Sequence, residues 1–236
     1  MILRLIALLA LCSQIALSLP AAETSAPATT PPAVIRVACV GDSITYGLYL
    51  AHRDTESYPA VLNRLLGAGY EVGSFGVSGA TLLKNGRLPY WQQPAFRAAS
   101  EFQAQIVIIK LGTNDAASLN WQAHGNEFAA DAAALLDHFK DLPTKPALWV
   151  CLPAPVFGPA HTMVDGPRPE VRRILTAAAK AAGAKVIDTF TPFVGHAEMF
   201  ADGLHPNAAG AALLAETVAG ALQAASAATP NATAAR

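Results

Sequence analysis

The chain has 236 residues, of which 53% are hydrophobic and 14% charged, with a formal net charge of −1 at pH 7. That length suits one globular domain with a large core behind a leader. The near-neutral balance, without Lys/Arg runs, argues against nucleic acid or an anionic membrane surface as the main partner.

Residues 1–22 read as a secretory signal peptide: Arg4 supplies a thin positive region, residues 5–17 are mostly apolar, and small residues cluster around Pro20, Ala21 and Ala22. The apolar run is short for a membrane span and is broken by Ser18, Pro20 and Glu23. No stable membrane insertion is expected once the leader is removed. A leucine directly before Cys12 makes this cysteine a poor lipidation site. Residues 23–33, rich in Ala, Thr and Pro, read as a flexible linker. An exported domain, periplasmic or secreted, is expected over 34–224, with a disordered Ala/Thr tail over 225–236.

Within the domain, VIRVACV (34–40) is a β-branched apolar run that stops on Gly41-Asp42-Ser43, a strand ending in a sharp turn. SYPAVLNRLL (57–66) has helical spacing and is closed by Gly67 and Gly69. YEVGSF (70–75) reads as a second strand, followed by the loop GVSGAT (76–81) and a polar, aromatic excursion with an Asn85-Gly86 turn. After a short helix at 95–101, IVIIKL (106–111) is the strongest strand and ends on GTND (112–115). An amphipathic helix (126–140), a strand (147–152), a Pro-rich loop, a helix (169–182), a strand (184–188) and a last helix (207–223) complete the domain. Five alternations of apolar strand and helix predict one doubly wound α/β domain, a parallel sheet covered on both faces. Right-handed crossovers bring the loops after the strands to one edge, which is where such sheets place ligands.

Those loops carry the residues acyl transfer requires. A serine hydroxyl is a weak nucleophile without an adjacent base, and the base needs an acceptor on its other nitrogen. Ser43 is the candidate nucleophile, His205 the base, and Asp202, three residues earlier in DGLHP, its orienting carboxylate. The developing oxyanion needs fixed donors, and three are available: the backbone N–H of Ser43, the backbone N–H of Gly79, and the Asn114 amide. Asp42 and Asp115 are read as structural hydrogen-bonding groups. Ser78 is a rival serine, read as support for Gly79. No GxSxG, HExxH or SxxK occurs. The remaining histidines lack ligand spacing, so neither a metal nor any other cofactor is expected. Cys39 and Cys151 are each set in a strand and are read as buried free thiols.

GDSIT (41–45), Gly79 within GVSGAT, GTND (112–115) and DGLHPN (202–207) resemble the four motif blocks of the SGNH hydrolases, also called GDSL-type esterases and lipases. The resemblance spans 34 to about 223, with Ile44 where the name-giving motif has Leu. It implies a three-layer αβα sandwich with a flavodoxin-like sheet of order 2-1-3-4-5, and it implies the roles assigned above to Ser43, Gly79, Asn114, Asp202 and His205.

The substrate is a question for the surrounding loops. Thr45, Tyr46, Thr81, Tyr90, Trp91 and Trp121 are the candidate pocket residues, with aromatic rings suited to a sugar face or, equally, to packing loops on the sheet. GVSGATLL and the later PYW are similar to sialate and other carbohydrate O-acetylesterases of the family. The expected activity is a short-chain (acetyl) esterase acting on a small-molecule or glycan ester. The alternatives are a lysophospholipase or acyl thioesterase of the same family, and a non-catalytic glycan-binding protein on the same fold.

Overall fold

The computed structural model describes residues 34–159, 163–164, 166 and 168–227. The expected leader, the whole of the expected linker, and 228–236 of the expected tail lie outside them. Five parallel strands, β1 (Ile35–Gly41), β2 (Tyr70–Gly76), β3 (Ile106–Lys110), β4 (Ala147–Cys151) and β5 (Lys185–Ile187), form one sheet of order β2-β1-β3-β4-β5. This is the order that the resemblance to the SGNH hydrolases implies.

The inner strands are apolar at consecutive positions because helices cover both faces of the sheet. On one face Ala38, Val40, Val107, Ile109, Leu148 and Val150 pack under α4 (Pro94–Glu101), α6 (Phe128–Lys140) and α7 (Arg168–Ala182). On the other, Val37, Cys39, Ile108, Trp149 and Cys151 meet α3 (Tyr58–Leu66) and α8 (Ala208–Ala227). Among the described residues, α8 is the helix long and apolar enough to cross a membrane. Its stripe of Leu214, Ala215, Val218, Ala219 and Leu222 is buried in this second core layer. Full burial of each large side chain there stabilises the fold by roughly 1.5–3 kcal/mol. The helix runs to Ala227, three residues into the expected tail, because the apolar spacing that holds it to the sheet continues through Leu222 and Ala225.

Cys39 and Cys151 are buried free thiols on β1 and β4. With β3 between those strands, two inter-strand spacings of about 4.8 Å put them beyond disulfide reach. Burial pushes both thiols upward from their ordinary pKa, which leaves them unreactive.

Three short helices lie where no element was expected: α1 (Ser43–Tyr46), α2 (Arg53–Glu56) and α5 (Ser118–His124). The expected helix at 126–140 opens with a 3-10 turn, Gly125–Glu127, before α6. Segments this short carry too few turns to show a helical period in sequence. Their positions follow from tertiary contacts. A β-carbon on Gly41 would lie 2.0 Å from Thr45 Oγ1 and 2.8 Å from the Lys110 carbonyl. Only glycine lets α1 fold back directly onto the strand ends.

Candidate active site

Because all strands are parallel, β1, β2, β3 and β5 release their loops at one edge, and the residues separated by more than 160 positions in sequence meet there. After β1, the Asp42 carboxylate accepts a hydrogen bond from the Ile44 N–H at 2.9 Å and caps α1. That cap presents Ser43 as the first helical residue. Ser43 Oγ lies 2.8 Å from His205 Nε2, and the Asp202 Oδ2 carboxylate oxygen lies 2.8 Å from His205 Nδ1. A carboxylate only accepts, so Nδ1 carries the proton and donates it to Asp202. Nε2 is left as the acceptor for the Ser43 hydroxyl.

The loop that holds this pair is locked on itself. Asp202 Oδ1 accepts from the backbone N–H groups of Leu204 at 3.0 Å and His205 at 2.8 Å. Partial burial alone pushes the Asp202 carboxyl upward, but these N–H groups and the imidazole together outweigh it and hold the group below the ordinary carboxylate range. Gly203 adopts φ +82°, and a β-carbon there would sit 2.1 Å from the Phe157 carbonyl. The Gly203 carbonyl also accepts from the Phe157 N–H at 2.8 Å, tying the loop to the segment after β4. His205 is nearly buried, and its own carbonyl accepts from Ala201 at 2.8 Å.

The donor side is built by one carboxylate brace, Asp115, and two amide braces, Asn114 and Asn120. Asp115, fully buried, accepts from the N–H groups of Leu82 at 3.1 Å and Leu83 at 2.7 Å. Asn114 Nδ2 donates to the Ala80 carbonyl at 2.9 Å. Asn120 Nδ2 in turn donates to the Asn114 carbonyl at 2.8 Å, while its Oδ1 accepts from the Arg87 N–H at 2.9 Å. These bonds hold the Gly79 loop beside the GTND turn. Gly79 is exposed with φ +83°, and among the described residues neither its N–H nor that of Ser43 has an intramolecular acceptor. The Asn114 amide spends one of its two hydrogens on Ala80 and keeps the other. Three donors are thus free for an oxyanion. Replacing Asn114 with Ala is expected to lower kcat by ~10²–10³ with little change in KM, read from initial rates on p-nitrophenyl acetate.

Asp115 adds a pH effect. Burial, opposed only in part by the Leu83 and Leu82 N–H groups and reinforced by the negative Asp42, raises its carboxyl from 3.8 to about 6. A carboxyl raised in the folded state stabilises the fold at pH below its unfolded value, and that contribution is lost as pH rises through the folded value. Asp115→Asn lacks this titration. The Tm of the native chain relative to Asp115→Asn is therefore expected to fall between pH 4 and pH 6, in melts followed by circular dichroism.

The expected pocket needs correction. Thr45, Thr81 and Tyr90 are fully buried. Thr45 Oγ1 points at Tyr58 Oη at 3.4 Å, Thr81 Oγ1 donates to the Leu83 carbonyl at 3.0 Å, and Tyr90 Oη donates to the Phe75 carbonyl at 2.7 Å. Their polar atoms are spent inside the protein, so no substrate can reach them. Trp91 donates its indole N–H to the Leu82 carbonyl at 2.8 Å and packs on Phe96. Trp121 packs on Phe128, with ring centroids 5.7 Å apart. Both tryptophans secure loops to the core. Tyr46 remains, 40% exposed, with the Arg53 guanidinium 4.1 Å over its ring.

Tyr49, missed in the sequence, stands exposed against His205. It is 66% exposed, has φ +69°, and sets its ring edge-on to His205 with centroids 5.2 Å apart and planes at 85°. The available signal was a second tyrosine in the Tyr46-Gly47-Leu48-Tyr49 run directly after the nucleophile turn. Among the described residues, no three His, Cys, Asp or Glu side chains gather as a metal site.

Residues 39–213 match the model of the GDSL-like lipase/acylhydrolase family. Over 208 residues the chain is 36% identical to an acetylxylan esterase of Xylanibacter ruminicola, a match covering 80% of this chain and 43% of that protein. The chain therefore spans under half the length of this relative. Among solved structures, an aryl esterase of M. smegmatis superposes with a TM-score of 0.58 at 22% identity, over 81% of this chain and 99% of that one. A carbohydrate acetylesterase family member from Sinorhizobium meliloti gives 0.58 at 20% identity, over 81% and 98%. These two share the fold.

Proposed function

Because the chain belongs to the GDSL-like lipase/acylhydrolase family, we propose that it is an exported serine esterase that removes short acyl groups, acetyl first, from a carbohydrate. The observation that carries the reading is the continuous relay from Ser43 Oγ through His205 to Asp202, each contact at 2.8 Å. In this reading Ser43 Oγ attacks the ester carbonyl and His205 Nε2 takes its proton. The tetrahedral oxyanion lies among the N–H groups of Ser43 and Gly79 and the Asn114 amide. Collapse expels the sugar alcohol, which takes the proton back from Nε2 and leaves acetyl on Ser43. A water, deprotonated by the same nitrogen, then attacks the acyl-serine, and acetate leaves as Ser43 regains its proton.

Support for a short acyl group comes from the acetylxylan esterase relative. Support for a carbohydrate comes from the acetylxylan esterase relative and from the polar, tyrosine-bearing surface next to His205. Export rests on the leader-like residues 1–22. Assays of p-nitrophenyl acetate, butyrate and palmitate test the acyl preference. Acetate is expected to exceed butyrate by at least about tenfold in kcat/KM, with acetate released from acetylated xylan fragments. A palmitate preference would overturn the reading.

A further inference from the structure

The last residue of α1 and the loop that links α1 to α2 have no part in the relay, yet they carry two exposed tyrosines, Tyr46 and Tyr49, the second of them against His205. In the collapse step His205 Nε2 must hand its proton to the leaving oxygen, so the leaving alcohol lies against the imidazole. The ring set edge-on to that imidazole is Tyr49. An exposed aromatic ring here is placed to meet the leaving alcohol, with the Gly79 and Asn114 donors left to the oxyanion.

The loop is also held firmly. The Ser43 carbonyl accepts from the N–H groups of both Gly47 and Leu48 at 3.0 Å, and Leu50 N–H reaches the Gly47 carbonyl at 3.3 Å. A left-handed φ on a tyrosine is a strained conformation that persists only where surrounding contacts impose it. From Tyr49 the surface continues into a cleft of about 570 Å³ lined by Tyr46, His52, Arg53 and Asp54. A second cleft of about 550 Å³ shares Tyr46, Arg53 and Asp54 and runs on past Asn63 and Arg64. Each is of the size that binds a small ligand, roughly 300–1,000 Å³. Their walls alternate an aromatic face with hydrogen-bonding groups of both signs, the Arg53 and Asp54 side chains lying 3.9 Å apart. That mixture fits a neutral, hydroxyl-rich chain, with apolar ring faces and polar rims, better than a fatty chain or an anion.

We propose that Tyr49 is the platform for the sugar that carries the ester and that the Tyr46–Asp54 cleft holds the neighbouring sugars, making an acetylated oligosaccharide or polysaccharide the substrate. The proposal rests on the acetylesterase reading above. Full-length Ser43→Ala protein, which leaves its ligand acetylated, can be titrated calorimetrically with acetylated xylo-oligosaccharides. Adding Tyr49→Ala is expected to weaken the Kd about tenfold, while Tyr49→Phe retains binding because the ring is kept. In the active protein, Tyr49→Ala is expected to lower the kcat/KM preference for the acetylated oligosaccharide over triacetin by a similar factor, mainly through KM. An unchanged Kd and an unchanged preference overturn the platform, even with the esterase intact. An equal loss on both substrates also overturns it, since Tyr49 then acts only through His205. A native chain that cleaves triacetin but no acetylated glycan overturns the carbohydrate reading itself, and the subsite with it.

Discussion

Replacing Ser43 with Ala is expected to lower kcat on p-nitrophenyl acetate by ~10⁴–10⁶ while the protein stays folded. The size follows from how the group is used. In the proposed reaction Ser43 Oγ and His205 form one unit through a 2.8 Å contact, and no other hydroxyl lies within hydrogen-bond reach of His205 Nε2 among the described residues. His205→Ala is expected to cost nearly as much, because the serine hydroxyl then keeps its proton at neutral pH. The double variant should be scarcely slower than either single one, since removing one member already disables the unit. Activity remaining in all three is then the contribution of the oxyanion donors and binding. Burst kinetics separate the steps: the native chain is expected to show an acyl-enzyme burst that Ser43→Ala lacks. A Ser43→Ala protein with full activity would remove the nucleophile from this site. The fold tolerates the change because one buried hydroxyl is lost and the α1 cap from Asp42 is untouched.

Asp202→Asn is expected to lower kcat by ~10³–10⁴ through the tautomer of His205. The carboxylate holds the imidazole proton on Nδ1 at 2.8 Å. An asparagine keeps one acceptor for the Leu204 and His205 N–H groups, which hold the Oδ1 side. Its amide N–H₂ then faces Nδ1 and donates. The proton of the neutral imidazole moves to Nε2, where it can no longer accept from Ser43. The change is nearly isosteric, so KM moves little. Stability responds as well. The Asp202 carboxyl lies below its ordinary 3.8 in the folded state, so its stabilising contribution is present above that pH and is lost as pH falls through the folded value. The Tm gap between the native chain and Asp202→Asn should therefore close below about pH 3.8. A kcat within tenfold of the native value would show that something other than Asp202 orients the base.

The architecture was readable because its signals are local. The runs 34–40, 106–111 and 147–152 are apolar at consecutive positions, which describes strands covered on both faces, and their alternation with helical periods leaves one topology class. The candidate catalytic set was readable for a chemical reason: few residue types can attack an ester, accept its proton or orient the base, and Ser43 follows β1 directly while Asp202 and His205 lie in the segment between β5 and α8. The structure puts Asp42 and Asp115 in bracing contacts, the roles read from their place beside the motifs. The short helices α1, α2 and α5 gave no period to read. They form where Gly41 permits a close approach and where Asn120 and Asp115 tie loops down.

Side-chain exposure was the part that needed three dimensions. Tyr90 and Tyr49 are the same residue type on neighbouring loops, yet one is buried with its hydroxyl on the Phe75 carbonyl and the other stands open beside His205. Thr45, two residues from the nucleophile, faces Tyr58 inside the core. An aromatic ring gains free energy equally from a core and from a sugar face, so its identity in sequence does not decide between them. Residue type and spacing determined the parallel, doubly wound sheet and the candidate chemistry of its loops, and the family resemblance supplied the strand order. Which rings meet the substrate was decided by tertiary packing, since burial depends on what the rest of the chain lays over each residue.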